Sequence, residues 1–363
     1  MQRWILIMLL CVSVKAGAQE NFFKYFADST LYMSLDVKAD SRNISFSNLV
    51  FDVRAGWHGT LKTGRQPMSD SDCRIEVSVL SGGQLIYAFS CSTLLEEWMM
   101  LDESAGGVVS GNQTFRMPVP RQPVKIEILR KSPGGEYVPV FSEKYYPDGG
   151  QHRDMASLPY PGKCIVRNGH PHKCVDIVIM SEGFTRREMD RFDSICNLFE
   201  KALFTYEPFK SNRNKFNISR VYVPSMQSGV SNTGFLVPTF FGFQYGTFGM
   251  ERYIGTWSQY PLMLAASAVP CDHILVFANS KVYGGGGIYN QYAVFASSHS
   301  QTIEGMIHEF GHSFANLDDE YEGDVFRSKE LPGSKCIMRT LAEKHFCPKC
   351  QQKIKKAIDY WSE

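Results

Sequence analysis

The sequence has no charge bias: 38 Lys and Arg stand against 37 Asp and Glu, a formal charge of +1. That balance argues against nucleic acid or an anionic membrane surface as the main partner. Beyond the first residues no run approaches the ~20 apolar residues of a membrane-spanning helix. There is no internal repeat and no low-complexity tract. The four glycines at 284–287 are not followed by Gly-Lys-Ser/Thr, so they make no phosphate loop and read as a flexible lead into a strand at Tyr292–Ala296. What remains is ordinary globular composition, 44% hydrophobic and 21% charged, in a chain of 363 residues, long enough for two domains.

The opening "MQRWILIMLLCVSVKAGAQ" has a basic Arg3, an apolar run over residues 4–14 and a small-residue end at Ala16-Gly17-Ala18. This predicts a signal peptide over residues 1–18, with Gln19 first in the mature chain, and export to the periplasm, the cell surface or the medium. Leu10 before Cys11 argues against a lipoprotein site. Of ten cysteines nine remain, and export permits disulfides, although an odd count leaves at least one sulfur for another role. Cys73 and Cys91 lie symmetrically about Ser81-Gly82-Gly83, where a hairpin sets them opposite each other, so they are the first expected pair. Cys164 and Cys174 bracket a turn-rich segment and are a second.

Residues 19–146 read as an all-β sandwich domain. Seven short runs rich in Val, Ile, Phe and Tyr, from "TLYMSLDV" to "YVPVFSEKYY", alternate with Gly- and Ser-rich turns. Residues 147–163, rich in Pro and Gly, read as a linker. Residues 164–363 alternate strands and helices. "CVDIVIM", "ISRVYV" and "HILVFAN" are buried-type strands, and Thr185 with Glu188 forms a capping box that opens a helix to about residue 204. The aromatic, Gly-rich stretch over residues 231–253 has no clean period and reads as a long surface segment.

The chemistry concentrates in "IEGMIHEFGHSFANLDDEYEGD". Ile303, Met306, Ile307, Phe310 and Phe314 follow helical spacing, with Ser300 as the expected N-cap, so His308 and His312 stand one turn apart on the same side. Two imidazoles in that relation can hold Zn²⁺, and Glu309 beside the first is placed to take a proton from an activated water. In metzincin-type sites a turn residue ends the helix and the third ligand follows three positions later. Asn316 tolerates the left-handed conformation that ends a helix, which selects Asp319. Strict counting selects Asp318, and Glu320 is long enough to compete. Met338, about twenty residues on, is the candidate for a methionine floor under the metal. Near the end, Cys347 and Cys350 are expected in disulfides that tether the last helix, with Cys336 as one partner. A structural zinc on Cys336, His345, Cys347 and Cys350 is the weaker reading.

The signature His308-Glu309-x-Gly311-His312-Ser313-Phe314, followed by Leu317, Asp319, Glu320 and Tyr321, resembles that of the IgA-peptidase family of secreted zinc metallopeptidases. "VDIVIMSEGFT" and the Cys-x-Met and Cys-Pro-x-Cys segments extend the likeness over most of the mature chain. The resemblance implies an α/β zincin, metzincin-like catalytic domain behind an N-terminal β domain, with Zn²⁺ on His308, His312 and Asp319 and Glu309 as general base. Asn316, where many relatives have glycine, and Asp318, where a small residue is usual, depart from the pattern. The implied function is cleavage of extracellular protein or glycoprotein, with immunoglobulin A or mucin as candidate substrates; an extended substrate is expected to pair with the strand Tyr292–Ala296 as an edge. The competing readings are a surface adhesion or glycan-binding protein with a structural or vestigial zinc site, and a zinc amidase or carbohydrate esterase.

Overall fold

The computed structural model describes residues 21–65, 71–99, 101, 107–132, 134–320 and 335–362. The expected signal peptide and Tyr321 lie outside the described residues. Alternation drives the first half. In "CRIEVSV", Cys73, Ile75, Val77 and the last Val79 are buried while the residues between them are half-exposed, the period of a strand with one face in a core. The elements are β1 (Phe26–Ala39), β2 (Ile44–Ala55), β3 (Cys73–Val79), β4 (Leu85–Cys91), the short helix α1 (Leu94–Met99), β5 (Val109–Pro120), β6 (Val124–Lys131), β7 (Tyr137–Tyr145) and β8 (His152–Asp154). They form two four-stranded sheets, ordered β5-β1-β2-β8 and β4-β3-β6-β7. Leu31, Met33, Phe115 and Met117 from one sheet share a contiguous apolar core with Ile75, Val77, Ile126 and Ile128 from the other. All seven expected strands form.

The second half comprises β9 (Gly162–Val166), β10 (Val175–Glu182), α2 (Met189–Leu203), β11 (Phe216–Val221), β12 (Gln244–Tyr245), β13 (Ile254–Gly255), α3 (Gln259–Ala266), β14 (His273–Ala278), β15 (Gly285–Ile288), β16 (Tyr292–Ala296), α4 (Thr302–Ala315) and α5 (Pro348–Ser362). A six-stranded sheet runs β15-β16-β14-β10-β11-β9. Its four middle strands are parallel, and β15 and β9 join antiparallel at the two edges. β10 is buried along its whole length, as a strand covered on both faces must be. Ile177, Ile179, Phe277 and Phe295 pack with Phe192 and Phe199 of α2, Phe310 and Phe314 of α4 and Ile354 of α5. Val178, Met180, Val276 and Val294 pack on the other side with Leu262 of α3 and with Phe241 and Phe243. The capping box of Thr185 and Glu188 is present, opening a 3-10 turn that leads into α2.

Three expectations are corrected. The segment over residues 231–253 is not a surface loop, because Val237, Phe241, Phe243 and Tyr245 are buried in the second core. It lacks a period because it covers a sheet face as irregular backbone. The glycines at 285–287 are part of β15, not a flexible lead. A Cβ at Gly287 would sit 2.5 Å from the Glu309 carbonyl oxygen, so the strand lies against α4 only where side chains are absent. β16 is therefore an interior strand between β15 and β14, and the edge is β15.

The stretch expected as a linker supplies β8 to the first sheet and, from Gly162, β9 to the second. The two halves are also bonded directly. The Arg116 guanidinium donates to the backbone carbonyls of Cys271 and Asp272, and the Asn112 N–H donates to the Trp257 carbonyl at 2.7 Å. Ser92 N–H donates to the Tyr289 carbonyl at 3.0 Å, just beyond β15. The first half is thereby fixed beside the end of the sheet where the histidines sit.

Candidate metal centre and cleft

Helix α4 begins at Thr302 rather than at the residue after Ser300. Thr302 Oγ1 accepts the His299 N–H at 3.0 Å and donates to the Ala296 carbonyl at 2.8 Å. The helix ends as its sequence predicts: Asn316 has φ 49° and ψ 48°, and the following Leu317 N–H returns to the Gly311 carbonyl at 3.3 Å. That left-handed turn carries the chain back over the last turn of α4.

Three acids follow the turn, and they go to three different places. Asp319 Oδ1 lies 3.2 Å from His308 Nε2 and 3.3 Å from His312 Nε2, while the two Nε2 atoms are 3.1 Å apart. Asp318 faces α5, where its Oδ2 lies 3.6 Å from Lys353 Nζ. Glu320 Oε1 lies 3.3 Å from Cys347 Sγ and 3.4 Å from Cys350 Sγ. Asp319 is thus the acid that joins the histidines.

The near-equilateral triangle fits a metal ion. Four ligands at ~2.0–2.1 Å around a tetrahedral Zn²⁺ stand roughly 3.3–3.4 Å from one another. The ring tautomers fit as well. His308 Nδ1 lies 3.0 Å from the Ile337 carbonyl and His312 Nδ1 lies 2.6 Å from the Leu317 carbonyl. A carbonyl can only accept, so each Nδ1 carries a hydrogen, which leaves Nε2 as the atom of each ring that can take a metal ion or a further proton. A proton bridges two of those three atoms; a metal ion satisfies all three.

Electrostatics point the same way. Burial acts to lower His312, but the Asp319 carboxylate and then Glu309 outweigh it and push the ring up to about 10. Burial acts to raise Asp319, and the two histidines outweigh that, holding it well below the usual carboxylate range. Both shifts have one origin, the carboxylates facing the imidazoles, which favour positive charge at this point. Glu309 is raised by burial, which the neighbouring imidazoles only partly offset. Its carboxylate lies with His308 and His312 in a group whose ligand atoms are all within 4.8 Å of one another.

These side chains open into a cleft of about 390 Å³. Gly285, Gly286 and Gly287 of β15 form one wall, Arg252, Tyr253 and Tyr283 line another part, and Ser92 and Glu97 reach it from the first half of the chain. Tyr253 donates to Glu97 at 2.6 Å. Met338 is fully buried beneath α4: a Cβ at Gly311, between the two histidines, would meet its sulfur at 2.9 Å. Sequence reasoning missed β15, the cleft residues Arg252, Tyr253 and Tyr283, and the two carbonyls that orient the imidazoles. Backbone carbonyls carry no sequence signal.

The disulfide expectations are corrected: all nine described cysteines are thiols. Cys73 and Cys91 stand directly opposite each other in the β3–β4 register, as their symmetry predicts. Cys164 is exposed and Cys174 buried. Cys336, Cys347 and Cys350 do converge, with Glu320 as the fourth group; His345 turns away, its Nδ1 3.6 Å from Glu343.

Two histidines one turn apart, a carboxylate brought back by the next turn and an acid beside the first histidine, at the floor of a cleft over an α/β sheet, are the parts of a metal-dependent hydrolase. The chain belongs to the IgA peptidase M64 family, a family of metallopeptidases. The family model described as IgA Peptidase M64 matches residues 164–330, and that of the Peptidase M64 N-terminus matches residues 21–142. No curated protein matches the chain.

Proposed function

We propose that the protein is an exported zinc-dependent endopeptidase acting on extracellular protein or glycoprotein, with Zn²⁺ held by His308, His312 and Asp319. The observation that carries this reading is the donor triangle of 3.1–3.3 Å with Glu309 beside it on the cleft wall. Zn²⁺ there supplies Lewis acidity, which polarises the scissile carbonyl and lowers the pKa of a water. Glu309 takes that water's proton and later delivers it to the departing amine, a role that suits a carboxylate that desolvation raises above its ordinary range. Ile337 and Leu317 keep both imidazoles in the ligating tautomer through their carbonyls.

An extended substrate pairs at the Gly287 end of β15, since the outer edge at Gly285 is taken by the Arg252–Tyr253 backbone. Gly285 N–H turns outward from the sheet to the Arg252 carbonyl, so by alternation the Gly287 N–H and C=O also turn outward, on the cleft side. This replaces the expected pairing along β16. The catalytic half is a metzincin-like zincin with Met338 as the floor, preceded by a β-sandwich domain whose Ser92 and Glu97 help to form the cleft. The test is turnover by the mature chain and its Glu309→Ala form on secretory immunoglobulin and mucin, reading new peptide termini. Cleavage by both forms equally would remove Glu309 from the mechanism.

A further inference from the structure

Behind the cleft, on the far side of Asp319, lies a second group of metal-binding side chains that the proposed reaction does not use. Cys336, Cys347, Cys350 and Glu320 offer three sulfurs and one carboxylate oxygen, all within 4.8 Å of one another. Cys336, Cys350 and Glu320 are buried and Cys347 is half-buried. Three sequence-distant segments converge here: the residue after Asp319, the Cys-x-Met turn, and the start of α5.

We propose that these four side chains form a second, structural metal site of the thiolate-rich kind that takes Zn²⁺. The donor set is complete: three thiolates and one carboxylate fill a tetrahedron and leave no open position for water, which separates a structural site from a catalytic one. Sulfur donors select zinc over magnesium or calcium. The spacing is close to that of a loaded site. A tetrahedral zinc with Zn–S of ~2.3 Å places sulfur and oxygen ligands roughly 3.5 Å apart, and Glu320 Oε1 stands 3.3 and 3.4 Å from two of the sulfurs. The Cys347 N–H donates to Cys336 Sγ at 3.2 Å, a backbone contact that favours a thiolate over a thiol.

The charge balance agrees. Three thiolates and a carboxylate carry four negative charges and the ion cancels two. Lys349 lines the same recess with Glu320 and Cys350, where Lys353 is paired with Asp318, and the positive N-terminal end of the 15-residue α5 carries Cys350 in its first turn, directly after Cys347. Loading releases the thiol protons and needs no oxidant, unlike a disulfide.

The site's position gives it a task. Glu320 N–H donates to the Met338 carbonyl at 3.0 Å, and Cys336 directly precedes Ile337, whose carbonyl orients His308. An ion joining Glu320 to Cys336 therefore fixes together the backbone that presents Asp319 and the backbone that orients His308. Cys336, Cys347, Cys350 and Glu320 are positioning residues that act through those two neighbours.

The test measures metal content and thiol state in mature protein, residues 19–363, with Co²⁺ as a spectroscopic probe. Wild type is expected to hold two metal ions per chain. The His308→Ala/His312→Ala variant is expected to keep one ion and, loaded with Co²⁺, to show the near-ultraviolet thiolate-to-cobalt band that a site of histidines and a carboxylate cannot give. The Cys347→Ser/Cys350→Ser variant loses one ion and that band. If it fails to fold, the histidine variant alone still decides. A histidine variant with no metal and no thiolate band overturns the proposal, as does peptide mapping of protein from the exporting cell that finds two of these three cysteines joined in a disulfide. Neither result bears on His308, His312 and Asp319 as the reaction site.

Discussion

Gly311 and Met338 touch so closely that a methyl group at residue 311 would sit 2.9 Å from the Met338 sulfur. The glycine of the His-Glu-x-Gly-His signature thus lets α4 rest on Met338 between its two histidines, and any side chain at residue 311 would have to displace Met338, Leu317 or Phe346. Gly311→Ala should push α4 off its support, destabilise the fold by about 1–3 kcal/mol and weaken metal retention. Met338→Ala, itself destabilising because Met338 is fully buried, should combine with Gly311→Ala to cost less than the sum of the two, since the positions share one space. Additive effects in a thermal-unfolding comparison would show that they do not.

Among the described residues Glu309 makes no hydrogen bond or ion pair whose loss would explain a fall in activity. Glu309→Gln should lower kcat by roughly 10²–10⁴ while zinc content stays at the wild-type value. Zinc lost along with activity would make Glu309 a ligand instead of a base.

The three acids after the turn should separate cleanly by metal content. Asp319→Asn should empty the histidine site and abolish turnover, and Asp318→Asn, which loosens the contact with Lys353, should leave both near wild type. A metal-free Asp318→Asn protein with a loaded Asp319→Asn counterpart would reverse the assignment.

β15 should tolerate no side chain on the face toward α4. A Cβ at Gly287 meets the Glu309 backbone oxygen at 2.5 Å and His312 Cβ at 2.9 Å, groups that cannot rotate away. Gly287→Val should cut activity far more than stability of the first half of the chain, measurable as loss of turnover with the β signal in circular dichroism retained.

Glu182 links stability to pH. It is buried, accepts hydrogen bonds from the Thr239 hydroxyl and the Phe243 N–H at 2.9 Å, and burial pushes its carboxyl up to about 7. The folded state then binds a proton that the unfolded chain has released by about pH 4.5, so this group's contribution to stability falls as pH rises from about 4.5 to 7 and is flat above. Glu182→Gln should flatten that slope and gain on the order of 1–3 kcal/mol above pH 7. An unchanged pH profile in urea unfolding would show that Glu182 ionises normally.

Much of this is legible in the sequence. Strand-length runs rich in Val, Ile, Phe and Tyr between turn residues predicted every strand of the first half except β8, which is three residues long, and apolar runs predicted β10, β11, β14 and β16. Asn316 pointed to the turn that separates Asp319 from Asp318, because only a left-handed residue there brings the chain back over His312. What stayed hidden had no local signature. β15 is written in glycines, which strands otherwise avoid, since its demand comes from α4 packed against it. Residues such as Phe241 and Phe243 gave no period because a sheet face, not a helix or strand axis, decides which of them are buried. Glu320 was read only as a rival for the first metal, its partners being sixteen to thirty residues away in sequence.

The measurement closest to the central claim compares mature wild type with its Glu309→Ala form, zinc content checked in both, on a mixture of secretory immunoglobulin and mucosal glycoproteins, with new peptide termini read by mass spectrometry. The account predicts new termini with the wild type alone and equal zinc in the two proteins. Identical termini profiles from two fully zinc-loaded proteins would contradict it.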